Sequence, residues 1–299
     1  MNRLKANLLV LLLALLSFPS LATDPPPATA GAGLHCLWKA EGKSNVVYLL
    51  GSIHVLKSAD YPLPTQLEAA CSNASIAVFE TDLDRMETPE VQLALLNQSL
   101  LPPGESLSTV LSPATYAMFE NHLHDAGFPG DIFDQTRPSV AALTLAVLEF
   151  QKLGFDPKYG LDQHFFARAR NEHKQIIPLE TVEFQINLAT DFTREEGDLM
   201  MKRTLEDIDQ TRKSFTDLLT AWQQGDAGKL EQLLNQARLE APAIFKRLVT
   251  DRNRRWAPRI QDLLLGSQSA VVIVGAAHLV GPDGLVEILR QSGCKITQQ

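Results

Sequence analysis

Three largely apolar runs stand out along this chain: "VVYLL" at 46–50, "SIAVF" at 75–79 and "AVVIV" at 270–274. None alternates with polar residues, so each predicts a strand buried on both faces, as in a sheet covered by helices on each side. "QIIPLE" at 175–180 is a fourth run of the same kind. A strand at 36–39, joined to 46–50 by the turn "EGKSN", and a last strand near 295–297 complete the set.

The remaining patterning is helical. A helix is expected at 64–71, and Ser112-Pro113 offers an N-cap and a first-turn proline for another, closed by Gly127. Residues 138–153 are apolar on most sides, which predicts a buried helix. Further helical stretches cover 162–171, 193–224, 229–240, 242–265 and 283–291, with Pro258 expected to kink or split the stretch that contains it. These elements make an α/β fold with a mixed central sheet and a long helical insertion at about 85–265. Residues 34–299 are read as one domain.

The first residues follow another logic. "MNRLKANLLVLLLALLSFPSLA" has basic Arg3 and Lys5, an apolar stretch and small residues before a cleavage point after Ala22. That is a secretory signal peptide at 1–22. Ser17, Pro19 and Ser20 interrupt the run before it reaches the roughly 20 residues of a membrane span. Residues 23–33 read as a flexible leader, and no stable membrane span is expected in the mature chain. The expected destination is the bacterial periplasm. Net charge is -8, and loss of Arg3 and Lys5 takes it to -10, which argues against nucleic acid as a partner. An oxidising compartment permits one disulfide among Cys36, Cys71 and Cys294, with the pairing left open.

Candidate chemistry lies just past the strand ends. "VVYLLGSIH" ends in His54, "SIAVFE" in Glu80, "QIIPLE" in Glu180 and "AVVIVGAAH" in His278. Ligands collect at the carboxyl ends of strands in open α/β sheets, and two imidazoles with two carboxylates suit a divalent metal. Singly, a histidine after a strand is more often a structural residue; the repeated G-x-x-H in matched contexts is the stronger signal. Gly51 and Gly275 are expected to adopt dihedrals that a Cβ would forbid, and to let a ligand or another backbone approach closely. His122 and His124, two apart on a helix, do not face each other and are read as surface residues. Arg252, Arg254 and Arg255 in "DRNRRW" are either a solvated face or a source of one arginine for the crevice. No H-E-x-x-H, G-x-S-x-G or phosphate-cradling loop is present.

The segments "YLLGSIHV", "YPLP", "VFETDL", "YGLDQHFFARA", "IIPLET", "DRNRRW" and "VVIVGAAHLVGPDGLVEILRQSG" resemble, in order, the TraB/GumN/Tiki family, itself similar to the erythromycin-esterase and ChaN-like superfamily. The first motif reads G-S-I-H where G-T-I-H is commoner, and the hydroxyl is retained. The resemblance implies a sheet built from two related α/β halves. It also implies a metal-dependent hydrolase site, since Tiki members act as metalloproteases. On this chain it points to His54, His278 and Glu80 as metal ligands for Mn, Co or Zn. Glu80, Glu180 and Arg252 would be catalytic, and Asp162 would orient the ligands. The expectation is an exported metallopeptidase acting on a peptide or small-molecule substrate through a metal-activated water. The alternative is a non-catalytic periplasmic binding or accessory protein for envelope polysaccharide or a haem or metal ligand.

Overall fold

The computed structural model of the protein describes residues 33–206 and 208–299. Six strands form one mixed sheet: β1 (Leu37–Glu41), β2 (Val46–Ser52), β3 (Ile76–Phe79), β4 (Gln175–Pro178), β5 (Ala270–Gly275) and β6 (Lys295–Gln298). Their spatial order is β4-β3-β5-β2-β1-β6. Strands β4, β3, β5 and β2 are parallel, whereas β1 runs antiparallel to both β2 and β6.

The position of β5 follows from its composition. All six of its residues are buried, and it pairs with β2 on one side and β3 on the other. The most apolar strand thus takes an inner place, although it comes late in the chain. β4 is less buried, lies at the edge and ends on Pro178, a residue that edge strands tolerate.

Helices carry the chain between parallel strands. The path from β2 to β3 uses α1 (Thr65–Ser72); that from β3 to β4 includes α2 (Pro138–Lys152) and α3 (Leu161–Asn171). The path from β4 to β5 ends with α4 (Asp251–Leu265). The segment at 85–265 is therefore mainly helical but also supplies β4. Its helices build a second apolar cluster around Phe119, Leu123, Leu145, Met201 and Leu248, beside the one that clothes the sheet.

Local structure differs from the sequence expectation in places. The stretch at 242–265 comprises Pro242–Phe245, a π-helical turn at Lys246–Thr250, and α4. Pro258 does not split α4: it is exposed, four residues after an equally exposed Arg254 whose carbonyl can be solvated. Helices at Leu83–Met86, Pro89–Ser99, Leu107–Val110 and Val182–Thr190 were not predicted individually. Two are a single turn long, and Pro89–Ser99 turns Leu93 and Leu96 to solvent, which blurs its amphipathic pattern.

The expected signal peptide and all but Gly33 of the leader lie outside the described residues. Among the described residues, no helix is long and apolar enough to cross a membrane. Cys36, Cys71 and Cys294 are all free, so the permitted disulfide is not formed.

Candidate functional site

Parallel pairing aligns the ends of four strands at one rim. Ser52 lies opposite Gly275, and Phe79 lies opposite both Ile273 and Pro178. The residues that follow these strands therefore stand side by side in the order Glu180, Glu80, His278, His54. Glu80, His54 and His278 are buried, at 2%, 3% and 0% exposed, and Glu180 is partly exposed as a residue although its side chain is only 4% exposed.

α4 closes the rim with Arg252. Burial recurs along this helix at 252, 253, 256, 257, 260 and 264, so Arg252 faces inward while Arg254 and Arg255 face out. The Arg252 guanidinium donates from Nη2 to Glu80 Oε2 at 2.5 Å and to Glu180 Oε2 at 2.8 Å. Its Nε reaches Glu180 Oε1 at 3.0 Å. Nη1 lies 3.2 Å from His278 Nε2 and donates to Leu248 O, also at 3.2 Å. Trp256 donates from Nε1 to Glu180 Oε1 at 3.1 Å, and its ring sits 4.4 Å from that of His278. The basic cluster is thus split: Arg252 is buried in the site, Arg254 is exposed, and the half-exposed Arg255 stacks on Phe184 with its Nη2 3.6 Å from Glu180 Oε1.

Glu80 receives a second fixed donor, the Gly275 N–H, 2.7 Å from Oε1. Gly275 has φ -48 and ψ 135, dihedrals open to any residue, so its expected conformational exemption is not used. Gly51 matters through close approach instead. A Cβ there would lie 3.1 Å from Ala276 Cα and from Cys36 Sγ.

The two imidazoles are oriented alike. His278 Nδ1 faces Asn253 Oδ1 at 2.7 Å, while Asn253 Nδ2 donates to the carbonyls of His278 and Asp283. Those two acceptors set the amide's direction, so its oxygen faces the ring and Nδ1 carries the proton. His54 Nδ1 lies 2.5 Å from Asp162 Oδ2, and Ser52 Oγ donates to Asp162 Oδ1 at 2.9 Å. Asp162 reaches this place because α3 starts against the His54 loop. Leu161 N donates to Ile53 O at 3.0 Å, and a Cβ on Gly160 would lie 2.3 Å from the His54 carbonyl oxygen.

Burial and charge act in opposite directions across the cluster. Burial raises the Glu80 pKa, and Arg252 and His54 only partly restrain it. Burial would lower Arg252, but Glu80 and Glu180 hold its pKa above the usual value. His278 is held well below the ordinary histidine value by burial, then by Arg252 and His54. Burial would also lower His54, yet Asp162 and Glu80 outweigh it and raise its pKa.

The donor chemistry suits a divalent cation. Each imidazole has Nδ1 tied to an oxygen acceptor, the arrangement that orients histidine as a metal ligand through Nε2. His54 Nε2 is buried and has no hydrogen-bond partner. His278 Nε2 and Glu80 Oε1 are 3.9 Å apart. Among the described residues, however, no group of three or more His, Cys, Asp or Glu donors is gathered closely enough to hold a metal.

The six residues singled out from sequence lie at the same end of the sheet, but His54, Glu80 and His278 do not converge as a three-donor metal group among the described residues. Ser52, Asn253, Trp256 and Gly160 were not foreseen at this end, although each lies inside or beside a motif already noted, "GSIH", "DRNRRW" or "YGLDQ". The two-apart histidines differ from each other. His124 is exposed, whereas the His122 side chain is only 16% exposed and faces Glu149 at 3.5 Å, so His122 is not a surface residue.

A model of the TraB/PrgY/gumN family matches residues 36–298. The chain is 26% identical over 243 residues to the uncharacterized protein YbaP of Escherichia coli (strain K12), covering 81% of this chain and 87% of YbaP. The same values hold for YbaP of Shigella flexneri. It is also 25% identical over 301 residues to the metalloprotease TIKI2 of Danio rerio, covering 83% of this chain and 57% of that protein. No solved structure matches it.

Proposed function

The chain belongs to the TraB/PrgY/gumN family, and we propose that it is an exported metal-dependent hydrolase, specifically a metallopeptidase. The observation that carries the proposal is His54. Its Nε2 is buried without a partner, its Nδ1 is tied to Asp162, and it shares a rim with Glu80 and His278. A buried unsatisfied nitrogen calls for a ligand. The similarity to a metalloprotease supports the same reading, and the leader sequence supports export to the periplasm.

In this reading His54, His278 and Glu80 would hold Mn, Co or Zn. When bound, the cation would lower the pKa of a water so that hydroxide forms near neutral pH. Asp162 keeps the His54 proton on Nδ1, and Asn253 does the same for His278, which points both Nε2 lone pairs inward. Glu80 sits in a site that raises its proton affinity, which suits a base taking a proton from water. Arg252, held charged by Glu80 and Glu180, supplies positive charge against a developing oxyanion.

The test uses the purified mature chain, offered Mn²⁺, Co²⁺ and Zn²⁺ separately and assayed on a mixed peptide library. At least one metal should bind and support cleavage, and Glu80→Gln should abolish the cleavage. Retention of none of the three metals, or an unchanged rate in Glu80→Gln, overturns the proposal.

A further inference from the structure

We infer that a cavity between the start of α2 and the helix Arg194–Glu206 is a binding site for an apolar carboxylate, held through the Arg137 guanidinium. The cavity shares no lining residue with the cluster at the strand ends, and the inference does not rest on the metal-dependent reading above.

The cavity has a volume of about 200 Å³. That is below the roughly 300–1,000 Å³ of a drug-sized site, so it suits a small group. Much of its wall is apolar: Leu101, Val110 and Pro138 are buried there, and Phe192 joins them. Arg247 holds Phe192 in place, with its Cζ 3.8 Å from the ring centroid and a hydrogen bond to Asp191 O. Arg137, Arg194 and Glu105 bring the charge. Arg194 is already committed, since its Nη2 lies 2.5 Å from Glu105 Oε1. Arg137 is not. Its Nε donates to Gln98 O at 2.8 Å, but neither Nη1 nor Nη2 has a hydrogen bond or a carboxylate partner among the described residues.

A backbone donor lines the same cavity. α2 has no side-chain cap, and its first residue, Pro138, has no N–H, so Ser139 carries the first amide of the helix. Ser139 is only 2% exposed, yet its N–H has no acceptor among the described residues. Buried amides without a partner are rare. The facing helix leaves this one uncovered, because a Cβ on Gly197 would lie 2.9 Å from Pro138 Cβ and 3.7 Å from Ser139 N. That helix has its own cap, with Glu196 N bonded to Thr193 Oγ1 and Thr193 N to Glu196 Oε2. The two lining arginines exceed the one lining glutamate by a single positive charge, which matches a monoanion. A carboxylate can take paired bonds from Nη1 and Nη2 of one guanidinium, and a helix N-terminus favours the same charge. The apolar wall calls for an apolar body on that carboxylate, which an inorganic ion lacks.

The experiment titrates the mature chain with N-acetylleucine, its neutral amide N-acetylleucinamide and 4-methylpentanoate, read by calorimetry and by ¹H–¹⁵N spectra. N-acetylleucine should bind and shift the Ser139 amide signal. N-acetylleucinamide should bind at least about tenfold more weakly, the worth of one charged hydrogen bond. Arg137→Gln should weaken binding of N-acetylleucine by at least the same factor and leave that of the amide unchanged. Tighter binding of N-acetylleucine than of 4-methylpentanoate assigns the site to a peptide C-terminus, and the reverse assigns it to a free acid. Equal binding of N-acetylleucine and its amide, or undiminished binding in Arg137→Gln, overturns the proposal. So does the absence of binding by both carboxylates, or displacement of N-acetylleucine by an equal concentration of inorganic phosphate, which would mark a site for a bare anion. Should Arg137→Gln not fold, the Ser139 signal of the wild-type chain decides, and bound N-acetylleucine with that signal unmoved overturns the site.

Discussion

Arg252 and Glu80 meet at 2.5 Å with both side chains buried, in a bond that ties α4 to the end of β3. Removing one partner of a buried pair leaves an uncompensated charge and costs about 3–5 kcal/mol. Arg252→Ala should therefore destabilise the fold by about that amount in urea unfolding. In the double variant with Glu80→Gln the loss should fall short of the two single losses added together, since each removes the other's reason to be charged. Strict additivity would show that the pair does not act as a unit.

Asp162 orients His54 without facing the proposed metal. Asp162→Asn replaces an acceptor with an amide of the same shape, which weakens the hold on the Nδ1 proton. Metal affinity should drop about 10–100-fold, measured by Co²⁺ titration, and urea unfolding should show a loss of about 1–3 kcal/mol as the buried partner of His54 and Ser52 is weakened. An unchanged Co²⁺ affinity would remove Asp162 from the site.

Gly160 permits the contact that brings Asp162 into place. A Cβ there would stand 2.3 Å from the His54 carbonyl oxygen, so backbone must move. Gly160→Ala should cost about 1–3 kcal/mol of stability. It should also weaken metal binding, because α3 carries Asp162 with it. Thermal melts and Co²⁺ titration of the same preparation test both, and a variant as stable and as tightly binding as wild type contradicts the close packing.

Acid stability should depend on a cluster away from the rim. Glu68 is part-buried; burial alone would raise its pKa, but His164 at 2.8 Å and the adjacent Arg168 bring it below the ordinary value. A depressed carboxylate stabilises the fold above its unfolded pKa of about 4.3 and loses that contribution as pH falls through the lower folded value. Glu68→Gln should therefore cost about 2 kcal/mol near neutral pH and progressively less below about pH 4. Urea unfolding across pH checks it, and a pH-independent difference would show that the charge is not what matters.

Much of the architecture can be read from the chain because burial leaves a direct mark on composition. The uninterrupted runs at 46–50, 75–79 and 270–274 became β2, β3 and β5, which lie inside the sheet. The short helices at Leu83–Met86 and Leu107–Val110 were less legible, since one turn is too little to establish a period. Pro258 misled for a related reason: its cost depends on whether the orphaned carbonyl meets solvent or core, which is settled by packing.

By itself, the sequence determined that four ionisable residues follow four apolar runs, because apolar runs and the residues ending them are local properties. It also narrowed the arginine candidates to one short motif. Only the tertiary structure decided that β5 inserts between β3 and β2, which places His278 between Glu80 and His54. It alone selected Arg252 from three arginines by the helical phase of α4, and aimed it at both carboxylates and His278. Strand order and side-chain aim depend on contacts between residues far apart in the chain, such as Arg252 and Glu80, separated by 172 positions. Such contacts leave no periodic trace in the sequence around either residue.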